Sequence, residues 1–432
     1  MAPKKPSLLI HAHYYPPDPA ATGQLLQELA EGLSDRFAVT VICAVPSYLG
    51  TVAAEYRTKP YFHETRGGVS LLRVRVPAFS KDNAGSRIRN LLVYTVRAAA
   101  ATLRAGDADY VLAVSQPPIL GGLLGVWSKR TKHAAFIYNI QDFNPEQLLA
   151  VSSGGMRMLA GPLMAIDRFS CRQSGLVITV GRDLAETMHR RFPKRMPDTI
   201  VINNWADEAA IRPLPPGHPQ TEAVRRRYGL EGRFVIMYSG NLGLYYDLEN
   251  LLRVIADLCD DRSGLKTPDG REVVFAFVGA GAVLEAMKAY AAERGLDNVR
   301  FIPYQEKADL IFSLNAGDVH WCVSAKGIRG VSCPSKAYGI LAAGRPILGV
   351  LEEGSEIRCL IEACGCGLCC APGDYAGIAK LLRRFTALAG SAELEAMGAA
   401  GRAYLEAHLT REQAIQNYAE AIAGLRDGGS GG

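Results

Sequence analysis

The sequence predicts an α/β protein made of two doubly wound, mostly parallel sheets. Three observations carry that prediction. Short strands, nearly all apolar, alternate with amphipathic helices, the pattern of parallel sheets covered on both faces. The alternation runs twice, interrupted once at Ala206–Thr221, where Pro213, Pro215, Pro216, Gly217 and Pro219 cannot propagate a helix or a central strand. The chain has 432 residues, 48% of them hydrophobic, more than one core holds at roughly 250–300 residues.

Taken in order, Ser7–His11 is an apolar strand, followed by a loop with Pro16, Pro17 and Pro19. Thr22-Gly23 then opens a helix through Leu33, with Leu25, Leu26, Leu29 and Leu33 at helical spacing. Phe37–Ala44 and Val69–Val76 are strands, and Arg87–Arg104 is a helix. Tyr110–Ser115 and Ala134–Ile140 are strands around a helix at Leu120–Lys129. Met164–Ser174 and Asp183–Arg191 are helices, Leu176–Val180 and Thr199–Asn203 strands. In the second half the strands are Phe234–Ser239, Val273–Val278, Val299–Pro303, Val319–Val323 and Pro346–Val350. The helices between them are Leu248–Leu258, Val283–Arg294, Lys307–Asn315 and Ala337–Ala343. Ser355–Glu362, Tyr375–Leu388 and a broken stretch at Leu394–Leu425 end the helical pattern. The expected domains are 1–207, a linker at 208–222, and 223–408. A last helix at 409–425 is expected to pack back on the first domain, and 426–432, ending GGSGG, reads as a flexible tail.

A net charge of +5 fits an anionic substrate or membrane surface, and no long Lys/Arg block argues for nucleic acid. The opening apolar run is too short for a signal peptide, and no stretch of about 18 apolar residues could span a bilayer. The expectation is a cytoplasmic protein, with peripheral membrane contact left open. Of the 10 cysteines, five crowd into Cys359, Cys364, Cys366, Cys369 and Cys370. Thiolates bind zinc tetrahedrally, but no spaced pair of C-x-x-C arms exists. A strand at Gly365–Ala371 would send alternate cysteines to opposite faces. Reduced, buried cysteines are the favoured reading, and no metal is expected.

The stretch Gly327–Pro346, GIRGVSCPSKAYGILAAGRP, looks most like a ligand site. Arg329 lies in a glycine-rich loop after a buried strand. Pro334-Ser335-Lys336 then opens a short helix that stops at Gly344, the expected polarity of proline and glycine at helix ends. Such a helix start offers free N–H groups to an anion. Ser335, Lys336 and Ala337 would therefore seat a phosphate or diphosphate, or else merely cap a helix. Gly240, Asn241 and Gly243 follow the first strand of the second half, where backbone can approach a ligand closely. Gly279 and Gly281 follow the next strand. They do not make a nicotinamide-dinucleotide fingerprint, because Leu284 stands where the third glycine belongs. Tyr304 would sit at the same sheet edge. In the first half, Asp142 and Glu146 follow a buried strand and could orient or deprotonate an acceptor hydroxyl. They could equally cap a helix.

The order of GNLG, FVGAG, a strand-end Pro-Tyr and PSKAYGILAAGRP is similar to the nucleotide-binding half of GT-B glycosyltransferases. It is most like the retaining family 4, and within it the bacterial O-antigen, capsule and colanic-acid transferases, including N-acetylfucosamine transferases. His13, Tyr14, Thr22 and Gly23 resemble the first strand and glycine loop of that family's acceptor-binding half. Asn203-Asn204-Trp205-Ala206-Asp207 resembles its segment before the hinge. The resemblance runs from about residue 7 to 425 and implies two Rossmann-like domains facing a central cleft. It also implies a nucleoside-diphosphate sugar donor, UDP-linked, and a glycan or polyprenyl-diphosphate-linked acceptor. Two family glutamates would fall at Val331 and Gly339, and a family Arg and Lys at Asn241 and Tyr246. Lys336 and Arg329 are then the expected replacements for the missing cations. The implied chemistry is positioning plus stabilisation of the leaving diphosphate, without a metal. The missing glutamates also suit a catalytically silent binding subunit, and an epimerase shares the fold.

Arg87–Arg104 carries Leu91, Leu92 and Val96 beside Arg87, Arg89, Arg97 and Arg104, and basic amphipathic helices lie on anionic membranes. The apolar segment Leu148–Met164 could join it. A core-facing helix with solvated arginines is the other reading.

Overall fold

Runs of aliphatic and β-branched residues such as Leu8-Leu9-Ile10 and Val39–Cys43 pair into an eight-stranded sheet whose central strands are buried. The computed structural model describes residues 4–80, 83–151, 156–260 and 265–427. The GGSGG tail, the first three residues and 152–155 of the apolar segment lie outside them.

The strands of the first unit are β1 (Ser7–Ala12), β2 (Ala38–Ala44), β3 (Tyr61–Arg66), β4 (Val69–Val74), β5 (Tyr110–Val114), β6 (Ala135–Ile140), β7 (Leu176–Thr179) and β8 (Thr199–Val201). Their order is β3-β4-β2-β1-β5-β6-β7-β8, parallel except for β3 against β4. The sequence reading lacks β3, because YFHETR at a sheet edge carries no continuous apolar signal. It is fastened by Glu64, whose carboxylate accepts from the buried Arg73 guanidinium at 2.8 Å. Two helical stretches also differ from expectation. Glu146–Val151 is helical, and the helix expected from Met164 begins at Met156, with Pro162 inside it. Proline removes one hydrogen bond of such a helix and is tolerated here.

The second unit holds β9 (Phe234–Ser239), β10 (Val273–Val278), β11 (Val299–Ile302), β12 (Val319–Val323), β13 (Ile347–Val350) and β14 (Gly367–Cys370). All are parallel, in the order β11-β10-β9-β12-β13-β14. Phe234, Ile236, Tyr238, Phe275, Phe277 and Trp321 anchor one face of its core.

By contacts, residues 1–203 and 412–432 form one unit and 204–411 the other. The proline-rich stretch is therefore no free linker. The Leu214 N–H donates to Asn315 Oδ1 at 2.9 Å, and Asn315 Nδ2 donates to the Arg212 carbonyl at 3.0 Å. A helix also begins inside it, at Pro219, the first-turn position that a helix tolerates. The last helix, Arg411–Asp427, buries Tyr418, Ala419 and Ile422, with Tyr418 hydrogen-bonded to Asn139 of β6. Among the described residues no three His, Cys, Asp or Glu side chains gather as a metal site, and no helix is long and apolar enough to cross a membrane.

Candidate active site

In each sheet the chain leaves the middle in one direction, then returns to build the other side. The order reverses between β1 and β5 in the first unit and between β9 and β12 in the second. Ligands of open α/β sheets bind beyond the carboxyl ends of strands at this switch point. Candidate residues of both units lie there, though Tyr304 lies beyond the edge strand β11.

In the second unit, Lys336 reaches the end of β9. Its ammonium is buried and makes no hydrogen bond to the protein. It lies 3.6 Å from the ring centre of Tyr246 and 4.8 Å from that of Tyr238. Gly240 leaves room for the stem, since a Cβ there would come within 3.3 Å of Lys336 Cε. Burial pulls the Lys336 ammonium down to about 8. The nearby Cys322 thiol is pushed up to about 12, also by burial. Sequence reasoning picked out the lysine and missed its two aromatic neighbours. Their signal was one tyrosine closing β9 and another in the turn after it.

The glycine loops pack first against each other. The Gly240 N–H donates to the Val278 carbonyl at 2.9 Å, and the Leu242 N–H to the Ala280 carbonyl at 2.9 Å. A Cβ on Gly279 would lie 2.0 Å from the Gly240 oxygen, and one on Gly281 would lie 2.2 Å from the Leu242 oxygen. Those two glycines are required by loop packing whatever else they touch. Asn241 is exposed, with its side-chain amide folded toward Gly243, and Tyr304 is exposed beyond β11.

The helix after Ser335 differs from the expected open tip. It spans Lys336–Ala342, seven residues, and Ser335 is exposed without capping it. The Ala337 and Tyr338 N–H groups turn back onto the carbonyls of Pro334 and Ser335. The glycine-rich loop before it is likewise engaged. Glu352 accepts from the N–H groups of Gly327 and Arg329, both at 2.9 Å. The Arg329 guanidinium lies over Gly354, where a Cβ would meet Nη2 at 2.9 Å. A carboxylate of the chain itself thus occupies the amides of this loop. Nothing in the spacing announced Glu352.

In the first unit, β1, β5 and β6 are neighbours, so His13, Tyr14, Ser115, Gln141 and Asp142 gather at one edge. Ser115 Oγ accepts from the N–H groups of Gln141 at 3.1 Å and Asp142 at 3.3 Å. Gln116 Nε2 donates to Thr22 Oγ1 at 3.3 Å. Gly23 is required for close approach, since a Cβ there would lie 2.8 Å from the Tyr14 oxygen. His13 is buried between Tyr14 and Tyr94, with ring centres 4.0 and 4.5 Å away. Burial pulls its imidazole down to about 3, so it is neutral at physiological pH. Its Nε2 has no protein partner.

Glu146 does not join Asp142 as a second acid. Its carboxylate is held by Arg191, which also binds Asp167, and Tyr138 donates to Asp167 Oδ1 at 2.8 Å. Arg191 is buried and stacks over Phe143 at 4.2 Å. A carboxylate so paired orders the turn after β6.

A two-sheet α/β protein with its candidate residues at both switch points is the architecture of a GT-B glycosyltransferase. The chain belongs to that class: residues 20–205 match the family described as "Glycosyl transferase 4-like domain" and residues 220–404 match "Glycosyl transferases group 1". Among its relatives, the probable glycosyltransferase WbjE of Pseudomonas aeruginosa is 27% identical over 75% of this chain and 76% of its own. The putative colanic acid biosynthesis glycosyl transferase WcaI of Escherichia coli K12 is 23% identical, over 96% of this chain and all (100%) of its own. A solved structure of Anabaena HepE, in complex with UDP-glucose, has a TM-score of 0.70 at 13% identity and covers 97% of this chain and 99% of that one.

Proposed function

We propose that this glycosyltransferase moves a sugar from a UDP-linked donor to a glycan or polyprenyl-diphosphate-linked saccharide during surface polysaccharide assembly, with retention at the anomeric carbon. The observation that carries the donor side is the buried Lys336 ammonium at the second unit's switch point. It has three N–H donors and no protein acceptor. A buried charge left so is costly, and a diphosphate would satisfy it. The acceptor oxygen attacks the anomeric carbon as the bond to the diphosphate oxygen breaks. The charge arriving on that oxygen is met by Lys336, and the same oxygen takes the acceptor's proton. Asp142 orients the acceptor hydroxyl. No divalent metal is needed, because Lys336 supplies the positive charge; chelation by EDTA should leave turnover unchanged. The complex of HepE with UDP-glucose supports the nucleotide choice, and the name of WcaI supports a polysaccharide acceptor.

A lipid-borne acceptor also fits one surface of the first unit. The helix Ala84–Arg104 turns Ile88, Leu92, Val96 and Leu103 to solvent beside exposed Arg87 and Arg89. That pairing of apolar stripe and cations suits an anionic membrane. A thermal-stability screen of sugar nucleotides tests the donor. A ligand at 100 times its dissociation constant should stabilise by about 2.7 kcal/mol. UDP release should then require a lipid-linked acceptor. A Lys336→Ala enzyme with unchanged donor affinity and turnover would reject the assignment.

A further inference from the structure

The rings around Lys336 raise a question that diphosphate binding alone does not answer: what holds a buried ammonium in place before a donor binds. Tyr238 is fully buried, and its hydroxyl is spent on the Asn241 carbonyl at 2.6 Å, which fixes the ring. Tyr246 sits in the short turn Leu244–Tyr246. That turn is pinned to the end of β12, because the Ala325 N–H donates to the Tyr245 carbonyl at 2.7 Å. The two ring centres are 6.1 Å apart, and Nζ lies closer to Tyr246, at 3.6 Å. A cation over an aromatic face is attracted to it, most strongly where water is excluded. The ring faces attract the N–H groups only weakly and supply no oxygen acceptor, so an oxygen ligand can still claim them.

We propose that Tyr246, with Tyr238 behind it, is a positioning residue that holds the Lys336 ammonium charged and in place until a donor diphosphate takes over its N–H groups. The proposal rests on the donor reading above and adds residues which that reading does not use. The other titratable group facing the ammonium is Cys322 on β12, whose burial keeps it a neutral thiol at physiological pH. The tyrosine rings are thus the source of attraction for the charge in the free enzyme.

Inorganic pyrophosphate serves as a probe that does not depend on the nucleotide. Tyr246→Phe keeps the ring and should bind pyrophosphate within about threefold of the parent, whereas Tyr246→Leu should lose about tenfold. On a Lys336→Met background the Tyr246→Leu change should cost nothing further, because its effect passes through the lysine. Equal losses on both backgrounds, or an equal loss in Tyr246→Phe, would overturn the proposal. A second readout needs no ligand. In the free protein, NMR titration of the Lys336 ε-methylene should give the same midpoint for the parent and Tyr246→Phe. For Tyr246→Leu the midpoint should fall by about one pH unit. If Lys336→Met leaves pyrophosphate affinity intact, the donor reading fails, and the titration still decides whether the rings hold the charge.

Discussion

Lys336 carries its charge at a place where folding gains nothing from it. Its folded-state value, about 8, lies below the ordinary 10.5. The folded chain therefore gives up this proton first as pH rises. The resulting destabilisation is fully present below about pH 8 and is relieved as pH climbs toward 10.5. Lys336→Met should accordingly raise the melting temperature at pH 7 while lowering kcat/KM by about 10²–10³-fold, measured by calorimetry and by UDP release. In the parent enzyme, donor affinity should weaken above pH 8 as the ammonium is lost. The two acids of the first unit separate in the same way. Asp142→Asn should depress turnover with little change in stability. Glu146→Gln should lower stability instead, because it removes a partner of the buried Arg191. Arg191→Met, which strands two carboxylates, should cost about 3–5 kcal/mol in chemical denaturation.

At the level of elements, the glycine loops and one helix make the sharpest forecasts. Gly279 has φ +135°, and its Cα faces the Gly240 oxygen, so Gly279→Ala combines backbone strain with a clash at 2.0 Å. Its expected signature is a loss of soluble, cooperatively folding protein rather than a selective loss of donor affinity. The helix Ala84–Arg104 buries Asn90, Tyr94, Ala98, Ala101 and Thr102 and exposes Leu92 and Val96. Leu92→Asp with Val96→Asp should leave the fold intact and abolish sedimentation with anionic liposomes at low salt. Failure of the parent protein to sediment would remove the membrane assignment. The inner face of this helix is core, as one reading of the sequence expects, and its outer face carries the apolar stripe on which the proposed membrane contact rests. The short helix after Ser335 shows the limit of reading caps from residue type. Proline and glycine marked its ends, while bonds to carbonyls three residues back turn the Ala337 and Tyr338 N–H groups onto Pro334 and Ser335.

Across the whole molecule, the last helix belongs to the first unit while the preceding chain belongs to the second. Removing residues after Leu409 would uncover Asn139 on β6 and the sites of Tyr418 and Ile422. Differential scanning calorimetry of that truncation should show the first unit melting earlier, with the second nearly unchanged. The parallel sheets were legible because central strands such as Val273–Val278 are apolar at every position, a pattern that one residue type after another repeats. The edge strand β3 was not, since half its residues face solvent and its pairing rests on Arg73 and Glu64. The proline-rich stretch has the local composition of a linker. Its attachment through Asn315 depends on a residue about a hundred positions away.

By itself the sequence determined the two-sheet architecture and the switch-point loops, and it singled out Lys336 as a candidate. Those follow from local patterning: hydrophobic period, glycine where backbones meet, and a cation after a buried strand. Only the tertiary structure decided which charges remain available for chemistry. Glu146 went to Arg191, the Gly327 and Arg329 amides went to Glu352, and Lys336 was left with two aromatic rings. The reason is that an ion's partner is chosen by distance in space, which strand order sets and spacing along the chain does not.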